Sequence, residues 1–204
     1  MAKPAPITVL TATVPDREEM LGNTIRSVRA QTVPVAAHLI HSHDRAGFGM
    51  TQYAAAKNSL LRAVDTPWVA VLNDDDIWLE HHVETIRPYL AHADVVYSWD
   101  AGRTRPRVDC TDWPREKIVQ HLNEFNIIDG NCLIRTRLLV KAGGFPVDWD
   151  TDAGRYTGSP AYYEDWELWR RLVPLGARFV CVPVETWHYG DGDWPRLTNG
   201  REAA

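Results

Sequence analysis

The sequence has few cysteines, no long apolar run and no excess of positive charge. Its three cysteines, Cys110, Cys132 and Cys181, show no CxxC spacing, which argues against a disulfide framework and a zinc site and indicates a reducing compartment. No stretch approaches the roughly 18 uninterrupted apolar residues of a membrane span, and the first residues lack the apolar segment of a signal peptide. We therefore expect a cytoplasmic protein with no membrane span.

Charge and composition limit the class of protein. Lys and Arg number 22 against 27 Asp and Glu, so the net charge of −5 does not support a nucleic-acid footprint, although a local basic patch stays open. Hydrophobic residues at 45% and charged residues at 24% are ordinary for a soluble globular protein, and 204 residues predict a single domain. Nine tryptophans fit either a compact core or a stacking site for a sugar or a base.

The first hundred residues alternate between short apolar runs and longer amphipathic runs. We predict strands at 7–11, 37–41, 68–72 and 94–99, and helices at 17–31, 51–64 and 79–90. This order is typical of an α/β protein, a Rossmann-like domain with a mostly parallel central sheet flanked by helices. Ligands bind at the carboxyl ends of such strands, so the loops expected to matter are 11–16, 42–49 and 73–78.

The second half of the chain is less regular. Strands are predicted at 128–135 and 179–182, and helices at 136–142 and 162–175. Two long polar loops, 100–113 and 146–161, carry no core pattern, and we expect them to lie beside a functional site because long loops in compact domains are often functional.

The most informative motif is the segment 73–78, Asn-Asp-Asp-Asp-Ile-Trp, directly after an apolar strand. Three adjacent carboxylates repel one another unless a positive charge lies nearby. Such oxygen ligands suit hard divalent cations, and Mg²⁺ is commonly held by one or two carboxylates together with substrate phosphates. The motif therefore predicts a site for a metal ion and a diphosphate. The alternative is a helix N-cap, which accounts for one Asp and not for three.

Two further segments place charge where chemistry could use it. Asp165 follows Glu164 in the first turn of a predicted amphipathic helix, so it is either a general base at a pocket rim or a partner of the helix dipole. His188 is either a metal ligand beside the aspartates or a structural histidine. Arg103 and Arg105 either contact an acidic acceptor or belong to a solvated loop.

Five motifs occur in a fixed order along the chain. They are the Thr- and Asp-containing turn after the first strand, Ser27-Val28-Arg29-Ala30-Gln31-Thr32, Lys57-Asn58, the segment 72–78 and Glu164-Asp165-Trp166-Glu167-Leu168-Trp169. In this order they resemble the family-2-type inverting glycosyltransferases with a GT-A fold, over about residues 7–190. Asn73 departs from that family's pattern, which has Asp there, and Lys57 stands in place of Arg.

The resemblance implies roles for individual residues. The nucleotide sugar would be held by Thr11, Thr13, Asp16, Arg17, Asp44, Lys57, Asn58, Asn73 and Asp74. A divalent metal, Mn²⁺ or Mg²⁺, would be held by Asp75, with Asp74 or Asp76 assisting, and by His188, since Asn is a poorer metal ligand than Asp. Asp165 would be the general base. Glu164, Trp166, Arg103 and Arg105 would lie on the acceptor side.

The implied reaction moves a sugar from a nucleoside-diphosphate sugar, with a UDP-sugar favoured, to an acceptor hydroxyl with inversion. The acceptor (a small molecule, a protein or a modified polynucleotide) and the oligomeric state stay open. Residues 1–204 would form one catalytic domain, with a nucleotide-binding half at about 1–100, an acceptor half at about 101–190 and a polar tail at 191–204. Two alternatives are a catalytically silent nucleotide- or sugar-binding module and a nucleotidyltransferase, although the turn 11–15 lacks the glycine that the latter needs.

Overall fold

The computed structural model describes residues 5–43, 50–102, 107–147 and 164–190, and it confirms the α/β class. The strands are β1 (Ile7–Thr13), β2 (Ala37–Ser42), β3 (Trp68–Val71), β4 (Ile77–Trp78), β5 (Val95–Asp100), β6 (Cys132–Arg135) and β7 (Phe179–His188). The helices are α1 (Glu18–Arg29), α2 (Met50–Leu61), α3 (His82–Ile86), α4 (Arg115–Leu122), α5 (Thr136–Lys141) and α6 (Glu164–Leu172).

The strands form one sheet in the order β2-β1-β3-β6-β5-β7-β4. β1 is parallel to β2 and β3, and β5 is parallel to β7. β6 runs antiparallel between β3 and β5, and β4 runs antiparallel to β7. The sheet is therefore mixed. Three neighbouring strands on one side, β2, β1 and β3, are all parallel to one another. β6 is antiparallel to β3 and β5 because it begins at the edge of the sheet where those two strands end.

Helices cover both faces of the sheet. Buried residues of α1 and α3, such as Val28 and Ile86, pack with Ala70 on one face. Helices α2, α4, α5 and α6 pack on the other face, where Leu168 meets Val69 in the same cluster. β1 is buried along its whole length, as expected for a strand covered on both sides. No helix in the described ranges is both long enough and apolar enough to cross a membrane.

Several elements differ from the sequence-based prediction. The helix predicted at 79–90 is α3 followed by a 3₁₀ turn, Arg87–Ala91, because Pro88 cannot donate the backbone hydrogen bond that would continue an α-helix. Helix α4 and the two-residue strand β4 were not predicted. β7 is longer than 179–182 and includes a register irregularity against β5 between Ser98 and Asp100.

Helix α6 is shorter than the predicted 162–175 in its described part. It begins at Glu164, the first residue described after the gap, and ends at Leu172. A 3₁₀ turn with Pro174 follows, and Gly176 then adopts a φ of 83°, a left-handed conformation that glycine reaches without steric cost. The apolar side of α6 packs into the core through Leu168 and Trp169, which fixes the direction of its first turn.

Candidate active site

A cleft of about 240 Å³ opens at the carboxyl ends of β1 and β3, beside the first turn of α6 and the end of β7. Its lining residues come from six places in the chain: Thr13, Val14, Arg17, Tyr53, Lys57, Asn73, Asp74, Asp75, Asp76, Asn126, Asp129, Gly130, Asn131, Glu164, Asp165, Trp187 and Tyr189. The position agrees with the rule that ligands bind at the carboxyl ends of parallel strands.

Arg17 holds two of the three aspartates. Its Nε atom lies 3.0 Å from Oδ2 of Asp74, and its guanidinium also donates to Oδ2 of Asp75 at 2.5 Å. The hydroxyl of Thr13, at the end of β1, donates to the same oxygen of Asp74 at 2.7 Å. Burial raises the pKa of Asp75 even though Arg17 opposes the shift. The end of β1 is therefore joined to the segment after β3 by the hydrogen bond between Thr13 and Asp74, and Arg17 links Asp74 to Asp75.

Asp76 differs from its two neighbours because it is fully buried and bonded only to uncharged donors. Its Oδ1 accepts the backbone N–H of Gly190 at 2.8 Å. Its Oδ2 accepts the side-chain amides of Asn73 at 2.8 Å and Asn131 at 2.5 Å. Burial, followed by repulsion from Asp75, raises the pKa of Asp76 to about 7. Asp76 thus connects three parts of the chain: the segment after β3, the residue before β6 and the second residue after β7.

Lys57 and Glu164 form a buried ion pair on the floor of the cleft. Nζ of Lys57 lies 2.6 Å from Oε1 of Glu164, and the two residues are 2% and 5% exposed. The ammonium also lies 4.1 Å from the centre of the Tyr53 ring, a cation–π contact. The Tyr53 hydroxyl donates to Oδ1 of Asn73 at 2.7 Å. The pair therefore links α2 to α6 and, through Tyr53, to the aspartate segment.

Asp165 lies next to this ion pair, and its carboxylate lines the cleft. Its Oδ1 accepts the backbone N–H of Trp166 at 2.7 Å, and its Oδ2 accepts the amide of Asn126 at 3.2 Å. A Cβ at position 130 would lie 3.0 Å from Oδ2, so Gly130 lets the loop approach the carboxylate closely. Burial, followed by repulsion from Glu164, raises the pKa of Asp165 to about 7.

Nine predicted site residues, including two of the three predicted metal ligands, are brought to this one cleft or its floor. They are Thr13, Arg17, Lys57, Asn73, Asp74, Glu164 and Asp165, and the aspartates Asp75 and Asp76 of the metal set. Glu164, expected on the acceptor side, lines the cleft, and its carboxylate is bound to Lys57.

Other predicted residues do not line the cleft. Thr11 is fully buried and donates to the carbonyl of Leu72 at 2.8 Å, which ties β1 to β3. Asp16 is an exposed turn residue with a φ of 70°. Asn58 forms two hydrogen bonds with the backbone of Phe145. The Trp166 indole donates to a backbone carbonyl of α4 at 2.7 Å. These residues support the fold around the cleft.

His188 is also placed away from the cleft. Its Nδ1 lies 2.9 Å from the carbonyl oxygen of Ala101, while its neighbours Trp187 and Tyr189 line the cleft. Alternate side chains of a strand point to opposite sides, so His188 points away from the side on which Trp187 and Tyr189 line the cleft. Asp44, Arg103 and Arg105 lie outside the described residues.

The segment 126–131 is a part of the cleft that the sequence prediction missed. It contributes four lining residues, Asn126, Asp129, Gly130 and Asn131. The predicted strand 128–135 includes most of this segment, whereas β6 begins at Cys132. The one available signal was the Asp-Gly-Asn sequence, because Asp, Gly and Asn together are typical of a turn.

The cleft carries more negative than positive charge. Its carboxyl groups belong to Asp74, Asp75, Asp76, Asp129, Glu164 and Asp165, against the cations of Arg17 and Lys57. Across the described ranges, no group of three or more His, Cys, Asp or Glu side chains is arranged to hold a metal ion. Asp74 and Asp75 are nevertheless hard oxygen donors on the cleft wall, and a divalent cation would offset the excess charge. The donor chemistry of the cleft therefore fits such an ion.

Comparison with known proteins gives structural matches only. No protein-family model matches the sequence, and no curated protein matches it. TarS from S. aureus, residues 1–349, matches with a TM-score of 0.65 and 14% identity, covering 91% of this chain and 60% of that chain. Its complex with UDP-GlcNAc matches with a TM-score of 0.64 and 14% identity, covering 97% and 62%.

A third match is the mannosyltransferase PcManGT from Pyrobaculum calidifontis in complex with GDP-Man and Mn²⁺. Its TM-score is 0.62 at 13% identity, covering 96% of this chain and 59% of that chain. The chain has a GT-A-type glycosyltransferase fold. It spans about 60% of the length of these structures, and at this identity the likeness shows the fold alone.

Proposed function

We propose that this chain is a glycosyltransferase that moves a sugar from a nucleoside-diphosphate sugar to a hydroxyl group of an acceptor. One observation carries the proposal: a single cleft contains both the carboxylates at the end of β3 and Asp165 at the start of α6. The reaction needs both parts, since one must hold a diphosphate leaving group and the other must deprotonate the attacking hydroxyl.

The donor would bind on the side of β1 and β3. Arg17, held by Asp74 and Asp75, is the cation nearest the aspartate segment and can face a phosphate. We favour a UDP-sugar because UDP-GlcNAc occupies TarS, while GDP-Man in the mannosyltransferase supports the wider class of nucleotide sugars. The position of Asp44, predicted to contact the nucleoside, lies outside the described residues, so its role stays a prediction.

We further propose that a divalent metal ion, Mn²⁺ or Mg²⁺, is held by Asp75 with Asp74 beside it. When bound, such an ion neutralises the diphosphate leaving group. Asp76 is a weaker candidate because both of its oxygens already accept hydrogen bonds from Gly190, Asn73 and Asn131. His188 would need a different side-chain orientation to join the set.

Asp165 is the proposed general base. Its pKa of about 7, raised by burial and by Glu164, lies near neutral pH, where a general base is most effective. The carboxylate would take the proton of the acceptor hydroxyl as that oxygen attacks the anomeric carbon and the bond to the diphosphate breaks. This single displacement from the opposite side of the sugar inverts the anomeric centre, and the enzyme forms no covalent bond with the sugar.

A catalytically silent nucleotide- or sugar-binding module is the second candidate. Asn73 favours it, because the carboxylate expected there is replaced by an amide whose two ends are bound to Tyr53 and Asp76. The acceptor of the first candidate stays open among small molecules, proteins and modified polynucleotides.

Calorimetric titration with UDP and GDP, with and without Mn²⁺, followed by a nucleotide-sugar panel assayed for nucleoside-diphosphate release, separates these candidates. A transferase binds the nucleotide with metal and turns over at least one donor, and the Asp165→Asn variant keeps binding while losing turnover. A silent module binds without turnover in either protein. Absence of nucleotide binding in the unaltered protein contradicts the transferase and a nucleotide-binding module, and it leaves only a sugar-binding module.

A further inference from the structure

Asn131 lines the cleft, and the carbonyl oxygen of its side chain has no hydrogen-bond partner among the described residues. It is 2% exposed and comes directly before β6. Buried polar groups in folded proteins almost always have a hydrogen-bond partner. The orientation of its side-chain amide therefore decides what it can do.

The surroundings of Asp76 fix that orientation. Nδ2 of Asn131 donates to Oδ2 of Asp76 at 2.5 Å, and the same oxygen accepts from Nδ2 of Asn73 at 2.8 Å. At the other end of the Asn73 amide, Oδ1 accepts the hydroxyl of Tyr53, which agrees with this orientation. In its ionised form the Asp76 carboxylate only accepts hydrogen bonds, and Asn131 presents its nitrogen to that form. Its carbonyl oxygen consequently faces away from Asp76.

That oxygen, Oδ1 of Asn131, is buried and has no hydrogen-bond partner among the described residues. The two cations of the cleft are engaged elsewhere: Lys57 pairs with Glu164, and Arg17 pairs with Asp74 and Asp75. A bound molecule that brings a hydrogen-bond donor would complete the site. A diphosphate has no proton to donate at neutral pH, whereas a sugar hydroxyl can donate one.

We propose that Oδ1 of Asn131 accepts a hydrogen bond from a hydroxyl group of the donor's transferred sugar, so that Asn131 determines which sugars are used. The inference rests on the proposed function. The transferred sugar is the favoured source of the hydroxyl because Asn131 is bonded to Asp76, within the segment that faces the donor diphosphate. Asn126, at the other end of the segment 126–131, donates to Asp165, which Gly130 also approaches closely.

A site built to hydrogen-bond a substrate hydroxyl discriminates against the analogue that lacks it. The test uses the nucleotide sugar that binds best with Mn²⁺ and its analogues, each with one sugar hydroxyl replaced by fluorine, which cannot donate. One analogue should bind about five- to tenfold more weakly than the parent, as expected for the loss of one hydrogen bond. The other analogues should bind within about twofold, on the same scale.

The Asn131→Ala variant completes a double-mutant cycle with this series. It should weaken binding of the parent donor about five- to tenfold and bind the sensitive analogue no more weakly than the parent, because the shared bond is already lost. The nucleoside diphosphate alone is the control. It lacks the transferred sugar, so its affinity should be unchanged unless the variant disturbs Asp76. Thermal unfolding of the variant reports any general loss of structure.

Each outcome leads to one conclusion. Coupling between Asn131 and one sugar hydroxyl supports the inference. Nucleotide binding by the unaltered protein without such coupling at any hydroxyl overturns the inference and leaves the proposed function standing. Equal weakening of nucleoside diphosphate and nucleotide sugar by Asn131→Ala also overturns it, since Asn131 would then contact the nucleoside or act by holding Asp76. Absence of any nucleotide binding contradicts the proposed function, and the inference fails with it.

Discussion

Substituting Asp165 by Asn separates a general base from a carboxylate that only favours the start of a helix. Asn keeps the size of the side chain and one acceptor oxygen, but its amide cannot take up a proton near neutral pH. If Asp165 is the base, acceptor-dependent transfer should fall by about 10²–10⁴-fold. In the unaltered enzyme kcat/KM should rise as the pH passes through about 7, and the variant should lose that rise.

The same substitution has a predictable effect on stability. The pKa of Asp165 is raised in the folded protein from an ordinary value of 3.8 to about 7, because burial and Glu164 disfavour the ionised form. The folded state therefore binds more protons than the unfolded state between these values, and stability falls as the pH rises through them. Asn carries no charge, so Asp165→Asn should be more stable than the unaltered protein at pH 8, by on the order of a few kcal/mol.

Glu167→Gln is the matched control. Glu167 also lies in the first turn of α6, but it pairs with Arg171 at 3.1 Å and does not line the cleft. Its substitution should cost about 0.3–1 kcal/mol and leave transfer unchanged. The reasoning is refuted if Asp165→Asn keeps most of the transfer activity, or if it lowers stability at pH 8 by the same small amount as Glu167→Gln. Chemical denaturation at pH 5 and pH 8 and a transfer assay supply both measurements.

Three further predictions concern the walls and floor of the cleft. Glu164→Gln should lower the free energy of unfolding by about 3–5 kcal/mol, since it leaves the Lys57 ammonium buried without its partner; urea unfolding measures this. Gly190→Ala should weaken both stability and nucleotide binding because its Cβ would overlap the carbonyl oxygen of Asp75. Gly22→Ala in α1, whose Cβ would lie at an ordinary contact distance of 3.5 Å from the Arg26 guanidinium, should instead add about 0.5–1 kcal/mol. Asp75→Asn should reduce Mn²⁺-dependent UDP affinity at least about tenfold; full activity in EDTA contradicts the metal role.

The alternation of strands and helices in the first hundred residues was enough to predict the α/β class. β3 is a continuous apolar run and β1 is rich in β-branched residues and buried along its whole length, a pattern that follows from burial of both faces. The direction of β6 could not be predicted in the same way. The sequence of a four-residue strand has the same pattern whether its pairing is parallel or antiparallel. The direction of β6 depends on how it pairs in space with β3 and β5.

The candidate site was predictable in its chemical groups but not in their partners. The aspartate segment and Asp165 stand out as charge beside apolar elements, and the structure places both in the cleft. Lys57 and Glu164 pair across 107 residues, a distance over which a linear pattern gives no signal. The orientation of His188 depends on the register of β7, where a shift of one residue exchanges the two faces.

The hydrogen bond between Asp76 and the backbone of Gly190 has a consequence for the making of the protein. The two residues are 114 positions apart, and Asn131 reaches the same carboxyl group from 55 positions away. At 5–20 residues per second, a ribosome adds that length of chain in roughly ten seconds. Until both partners have been synthesised, the Asp76 carboxyl group lacks the hydrogen bonds that Gly190 and Asn131 donate in the folded protein. A nascent chain that ends before β7 therefore has the sequence of the aspartate segment without its geometry, and nucleotide binding should begin only after the last strand has been synthesised.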